Sequence, residues 1–412
     1  MKKKTLLATL LAPLLALGGA ATSAHAAGYA VFTHGASALG QGNAVTAHSD
    51  NPSTIFYNPA LMNRLEGTQF QIGTTAIISS REFESNIPGG STSSDAVHFP
   101  STFYATHKFN DKVSAGLGIF NPFGLSTEWD DNWEGRYLAT DSKLTTFNIN
   151  PVLSYQVTPA LSIAAGVDII LLDATLKSKV PTALLGAPFP PGFDLGQKFE
   201  GDGTGVGFNV AVAYDVTKDL TFGASYRSEV DVDIDGDVTF SSDVLPVSAL
   251  NSGGKTDITL PQQVTAALAY RGIDRLTLEA GVRWEGWSSF DKLTITLDNG
   301  FVDETTRNWK NSWGFNLGAK YQMNDTVALL GGYVWGESAV PDSTFDPSIP
   351  DADTHVFCVG TDLNFNPLNV AFSYGYQLYE DRTRSNSFGS PLADGEYKTD
   401  AHLVALSVGY KF

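Results

Sequence analysis

The sequence predicts an all-β protein, a closed transmembrane antiparallel β-barrel, and three observations carry that prediction. Segments of about ten residues alternate apolar with small or polar side chains almost end to end, the pattern of a wall between lipid and a wet lumen. Short turns alternate with long connections rich in Pro, Gly and Asp. Beyond the N-terminal leader no run of 18 apolar residues occurs, so no transmembrane helix is expected.

The alternation is plainest near the C-terminus. Val370, Phe372, Tyr374, Tyr376 and Leu378 interleave with Ala371, Ser373, Gly375 and Gln377. Val206, Phe208, Val210, Val212 and Tyr214 stand against Gly205, Gly207, Asn209, Ala211 and Ala213. Leu276, Leu278, Ala280, Val282 and Trp284 stand against Thr277, Glu279, Gly281, Arg283 and Glu285. Fourteen such segments are expected between residues 67 and 412, the third at 113–120, the fifth at 161–175 and the tenth at 308–322. Closure pairs every backbone N–H and C=O, which is what lets strands survive in lipid. Six short turns, among them Asn110-Asp111, Thr158-Pro159 and Asn324-Asp325, mark one end. Connections such as 121–143, 178–202 and 338–352 mark the other. The chain ends Tyr410-Lys411-Phe412, and a terminal aromatic resembles the assembly signal of outer-membrane barrels.

The leader explains how such a chain leaves the cytoplasm. Lys2, Lys3 and Lys4 precede an apolar core from Thr5 to Leu17, and Ala24-His25-Ala26 reads as a cleavage site. Residues 1–26 are therefore expected to be a signal peptide. Its loss removes three of 26 basic residues and none of the 44 acidic ones, taking the net charge from −18 to −21. So acidic a protein repels nucleic acid. The single cysteine, Cys358, excludes an internal disulfide.

Residues 27–64 do not alternate. Gly35-Ala36-Ser37-Ala38-Leu39-Gly40-Gln41-Gly42 is a run of small residues, and Asn51-Pro52 and Asn58-Pro59 punctuate the stretch after it. Phe32, Ile55, Phe56, Tyr57, Leu61 and Met62 are too apolar for a disordered leader. A plug inside the lumen is expected, with residues 65–412 forming the barrel.

Here the sequence resembles a known family, the FadL/TodX outer-membrane transporters of hydrophobic compounds. The matching pieces are Ala27-Gly28-Tyr29, the small-residue run, and the string through Phe56, Tyr57, Asn58, Pro59, Ala60 and Met62. Asn121-Pro122-Phe123-Gly124-Leu125, Trp133-Glu134-Gly135-Arg136-Tyr137 and Val340-Pro341-Asp342 also match, so the resemblance spans the mature chain. It implies a hatch within fourteen strands, passive uptake of long-chain fatty acids or, in a sister branch, aromatic hydrocarbons, a landing groove in the outer loops, and sideways exit where the third strand is kinked. That strand runs here into Phe120, Asn121 and Pro122, and a proline cannot continue a ladder.

The candidate site residues are of two kinds, apolar and cationic. Leu184, Leu185, Phe189 and Phe193 make an apolar loop of the kind that marks a binding surface. A fatty carboxylate needs a cation beside an apolar pocket, for which Arg136, Lys177, Lys179 and Lys310 are candidates, Lys310 by parity facing the lumen. Asp231-Val232-Asp233-Ile234-Asp235-Gly236 has the spacing of a calcium loop, but its twelfth position is Ser242 rather than Glu. No cofactor or metal is expected. No Ser–His or metal-spaced His constellation suggests an enzyme. A barrel acyl hydrolase and a structural adhesin or phage receptor are the alternatives from other classes. A general porin is disfavoured by the plug. The expected partners are a hydrophobic small molecule, outer-membrane lipid and lipopolysaccharide, and the barrel-assembly machinery, for a monomer in the bacterial outer membrane.

Overall fold

The computed structural model describes residues 28–88, 90–184, 193–243, 245–385 and 392–412, and the signal-peptide reading lies outside them. Fourteen antiparallel strands close into a barrel. They are β1 (Thr68–Ser85), β2 (Thr92–His98 and Ser101–Lys108), β3 (Val113–Phe120 and Gly124–Glu128), β4 (Asp141–Thr158), β5 (Leu161–Pro181) and β6 (Asp194–Asp215). Next come β7 (Leu220–Arg227 and Val230–Ser241), β8 (Ser252–Leu260 and Gln263–Ile273), β9 (Leu276–Glu285 and Lys292–Leu297) and β10 (Val302–Thr306 and Ser312–Gln322). β11 (Val327–Gly336), β12 (Thr354–Asn364), β13 (Leu368–Tyr379) and β14 (Gly395–Lys411) complete the wall. β14 pairs with β1 from Gln69↔Lys411 to Ser85↔Gly395, which closes the seam between the two ends of the sheet.

The alternating faces fall as their periodicity demands. Val206, Phe208, Leu268, Phe315, Phe357 and Phe372 stand exposed on the exterior, the band that meets acyl chains. Asn209, Ala211, Ala213, Glu279, Glu285, Ser373 and Gln377 point inward and are buried.

Above this band the wall reverses. Between Arg227↔Asn209 and Ile234↔Gly203 the register of β7 against β6 advances by one residue, and a one-residue slip turns every side chain over. Val230, Val232 and Ile234 consequently face inward, and Asp231, Asp233, Asp235 and Asp237 face out. β8 turns over in step at Pro261-Gln262, placing Ile258 and Leu260 inside. On β5 and β6 composition does the same work. Ile170, Leu172 and Phe199 are buried inside, while Asp173, Glu200 and Asp202 lie on the outer face. Across β5–β8 the outer part of the wall is thus apolar within and acidic without. The acids of the calcium-like run lie along one exposed strand face rather than around a loop.

The lumen is filled by the N-terminal segment, built from α1 (Ala36–Gly40), α2 (Thr54–Tyr57) and a 3₁₀ turn (Pro59–Arg64). Asn58 explains the Asn-Pro-Ala motif. Its side chain caps the turn by accepting from the Ala60 N–H at 3.1 Å and donates to the carbonyls of Thr46 (2.7 Å) and Val212 (3.0 Å). Pro59 takes the first position of the turn, where no N–H is needed. Ala60 then lies flat against Ala164, Ala211 and Ala213 of the wall. Two wall glycines admit the plug backbone. A Cβ on Gly223 would lie 2.1 Å from the Thr46 carbonyl oxygen, and one on Gly332 would lie 2.1 Å from the Gly42 nitrogen.

Candidate functional site

The site is the contact between plug and wall, with a packed aromatic cluster above it. At the short-turn end the plug is clamped by charge. Glu279 of β9, fully buried, accepts from three successive plug N–H groups, Thr46 (2.6 Å), Ala47 (2.9 Å) and His48 (3.0 Å), and contacts His48 Nδ1 at 2.8 Å. Lys320 of β10 bridges plug Asp50 (2.6 Å) and Asp362 of β12 (2.7 Å), and Asp362 also accepts from Ser37 Oγ. One continuous set of polar contacts therefore ties plug residues 37–50 to three strands.

At mid-depth Phe56, Tyr57 and Met62 of the hatch motif are buried. The Tyr57 hydroxyl donates to the Phe32 carbonyl at 2.9 Å, holding the two arms of the plug together. The Phe56 ring packs on Phe120 at 5.2 Å, so the plug touches the end of the first piece of β3. Arg227 lies over both rings and forms a buried ion pair with Asp168, whose carboxylate also accepts from Asn148 and Asn209. The two gaps that Phe32 lines between plug and wall have volumes of about 50 and 30 Å³. Volumes of this size take water rather than a ligand. Neither of these gaps takes a long alkyl chain.

The wall is broken next to this contact. β2 and β3 pair from Lys108↔Ser114 to Phe103↔Ile119. Above that level Thr92–His98 pairs with β1 and Gly124–Glu128 with β4, and among the described residues no ladder joins the two pieces. Asn121-Pro122-Phe123 bends inward across the break. Its backbone is satisfied from inside: Thr146 Oγ1 accepts from the Phe123 N–H, the Val31 N–H donates to the Pro122 carbonyl at 2.9 Å, and the Gly124 N–H donates to that of Tyr29 at 2.8 Å. The first described residues of the plug thus pair with the kink.

At the long-loop end Tyr29 sits among Trp287 (4.6 Å), Trp309 (5.8 Å), Phe290 and Phe123 (both 6.1 Å). Gly28, at φ +66°, brings the backbone so close that a Cβ would lie 2.5 Å from Trp309. Its N–H donates to Asp351 at 3.2 Å, a carboxyl that burial pushes up to about 7 against the hydrogen bond from Ser338. Arg307 adjoins this aromatic cluster, 6.0 Å from the Phe290 ring centre and 3.7 Å from Asp346. Its Nε is buried without a hydrogen-bond partner.

The cations singled out by sequence sit elsewhere. Arg136 bonds Asp194 at 2.8 Å, Lys177 bonds Asp141 at 2.6 Å, and Lys179 bonds Asp131 at 3.0 Å, all at the rim. Lys310 is exposed in the turn before the second piece of β10, not in a strand facing the lumen. Phe193 is exposed and Leu184 ends a short turn, while Leu185 and Phe189 lie outside the described residues. The inward cations Arg227, Arg283 and Arg307 were missed. For Arg283 the signal was present, since strand parity alone places it on the inner face.

Comparison with known proteins agrees with this architecture. Residues 18–412 match the family described as "Outer membrane protein transport protein (OMPP1/FadL/TodX)". The 47 kDa outer membrane protein of Pasteurella multocida (strain Pm70) is 28% identical over 433 residues, covering 98% of each chain. The long-chain fatty acid transport protein of Escherichia coli O157:H7 is 25% identical, covering 91% of this chain and 93% of its own. Among solved structures, that of a Pseudomonas aeruginosa FadL homologue superposes with a TM-score of 0.83 at 21% identity, over 94% of this chain and all of the other.

Proposed function

This chain belongs to the OMPP1/FadL/TodX family of outer membrane transport proteins, and we propose that within it the protein admits long-chain fatty acids passively, past a movable plug and out through the β2–β3 break. Its place is the outer membrane and its cargo class is hydrophobic compounds. One observation carries the fatty-acid reading: a buried aromatic cluster around the plug's Tyr29 with an adjoining arginine, Arg307, whose Nε is buried and without a hydrogen-bond partner. A carboxylate with an alkyl tail matches both halves of that site, and a buried carboxylate needs such a cation.

The exit route is supported by the missing ladder beside Asn121-Pro122 and by the pairing of Ala30 with Phe123. A plug segment that leaves the aromatic cluster must also leave the kink, so the ligand's arrival and the opening of the wall are mechanically linked. The aromatic walls, Tyr29, Phe123, Trp287, Phe290 and Trp309, favour aromatic hydrocarbons as a second reading.

Arg307→Gln separates the two. A charge-assisted hydrogen bond is worth about 1.5–3 kcal/mol, so oleate binding to detergent-purified protein should weaken roughly ten- to hundredfold at about 1.4 kcal/mol per decade. Toluene binding should hold. Toluene binding without measurable oleate binding in the wild type would move the protein to the aromatic branch.

A further inference from the structure

We propose that Arg283, deeper in the lumen, is a transfer site for the anionic head group of a permeating amphiphile, kept covered by the plug's Phe32 until the ligand displaces that ring. The inference rests on the uptake reading above and adds a second site to it.

Arg283 points inward from β9 between Thr265 of β8 and Gly314 of β10, its register partners. Gly314 makes the room. A Cβ there would lie 3.2 Å from Arg283 Nη2, so the guanidinium lies directly over a bare backbone. The face of Phe32 covers it, with Cζ 3.4 Å from the ring centre. Nε is buried and has no hydrogen-bond partner. The nearest acid, Glu285, stands 3.6 Å from Nε, beyond hydrogen-bond reach, and its Oε1 is taken by Gln263 at 2.8 Å. Both gaps beside the plug are lined by Arg283 and Phe32 together.

This is an arginine with its charge only partly answered, facing the route and capped by a movable group. A ring face is a weaker partner for guanidinium than a carboxylate, which can take two parallel N–H···O bonds. Gaps this small admit no ligand while Phe32 stays. The exchange is therefore concerted: the ring swings aside as the head group moves in, and the cation passes from one partner to the other. Phe32 directly follows Tyr29–Val31, which pair with the β3 kink, so this exchange pulls on the segment that closes the wall.

The test uses the full mature chain in lipid vesicles, with entry of palmitate and of its neutral counterpart hexadecanol followed in parallel. Arg283→Gln should slow palmitate about tenfold, the loss of one charge-assisted contact, and leave hexadecanol unchanged. Arg283→Lys should restore much of the palmitate rate. Phe32→Leu, which uncovers the cation and alters no charge, should speed palmitate selectively. Heat-modifiable mobility in SDS gels confirms that each variant is a closed barrel. Equal slowing of both ligands by Arg283→Gln would make Arg283 a structural prop and overturn the inference, as would no slowing of either. A wild type that passes hexadecanol but not palmitate overturns the inference and leaves hydrophobe uptake standing. A wild type that passes neither defeats the uptake reading itself.

Discussion

Replacing Glu279 with alanine should unlatch the plug while sparing the barrel. The carboxylate accepts from three backbone N–H groups and meets one imidazole, all between 2.6 and 3.0 Å. Four charge-assisted contacts at about 1.5–3 kcal/mol each would set a ceiling near 6–12 kcal/mol. Lumen water will reoccupy part of the site, so the loss on breaking a buried pair, about 3–5 kcal/mol, is the better figure. At about 1.4 kcal/mol per decade the docked plug loses two to three and a half decades of its preference. Glu279→Gln keeps a neutral acceptor and should fall between alanine and wild type. The assay is single-channel conductance in planar bilayers, with heat-modifiable mobility as the check on closure. Conductance should rise in the order wild type, Gln, Ala, approaching that of a chain lacking residues 27–64. An alanine variant with an intact barrel and wild-type conductance would refute the clamp.

Three further outcomes are expected. Gly332→Val should displace the plug by driving a side chain into the Gly42 backbone, raising conductance without unfolding the wall; unchanged conductance would count against the tight plug–wall contact. Cysteines at Ala30 and Phe123, bridged residues on plug and kink, should form a disulfide that stops fatty-acid uptake until reduced, whereas uptake through the locked protein would exclude exit by this route. Asp351 has its pKa raised by burial to about 7, above the unfolded value of about 3.9, so its ionisation opposes folding. That penalty is absent below pH 4, grows as pH rises towards 7 and is complete above it. Thermal melting in detergent should therefore shift upward between pH 8 and pH 5, and Asp351→Asn should abolish that increment; an equal shift in the variant would assign it to other groups.

Strand existence was legible in the sequence because a barrel wall has one periodicity and two solvents. The inner face of β9, from Thr277 through Glu279 and Arg283 to Glu285, is given by parity alone. Their partners were not. Thr46 lies 233 residues from Glu279 in sequence, and nothing local couples the two. Parity also fails wherever the register slips. The turnover at Ser228-Glu229 sends Val230 and Val232 inward with no change in their alternation, and the turn at 307–311 removes Lys310 from its strand. Lys177 and Lys179 are candidates by their place at the top of the fifth strand, but Asp141 and Asp131 reach them across the neighbouring strand and loop. The hatch motif carried further, because Asn58, Pro59 and Ala60 each do a local job that their chemistry dictates.

The reversal of the wall above the lipid band changes the energy profile along the route. Were the inner surface polar from rim to base, a sixteen-carbon chain moving down from the apolar loops would give up burial worth about 0.8 kcal/mol per methylene, roughly 12 kcal/mol in all. With Val230, Val232, Ile234, Ile258 and Leu260 turned inward, an apolar tail on the proposed route would meet a dry face on this side of the wall and a lower barrier. The acids displaced to the outside keep the same strands wetted against the medium. On the proposed route the hill would move from entry to the plug, which Glu279 and Lys320 hold in place. A channel arranged this way is limited by release of its own stopper, and its rate should vary little with the length of the tail behind the head group.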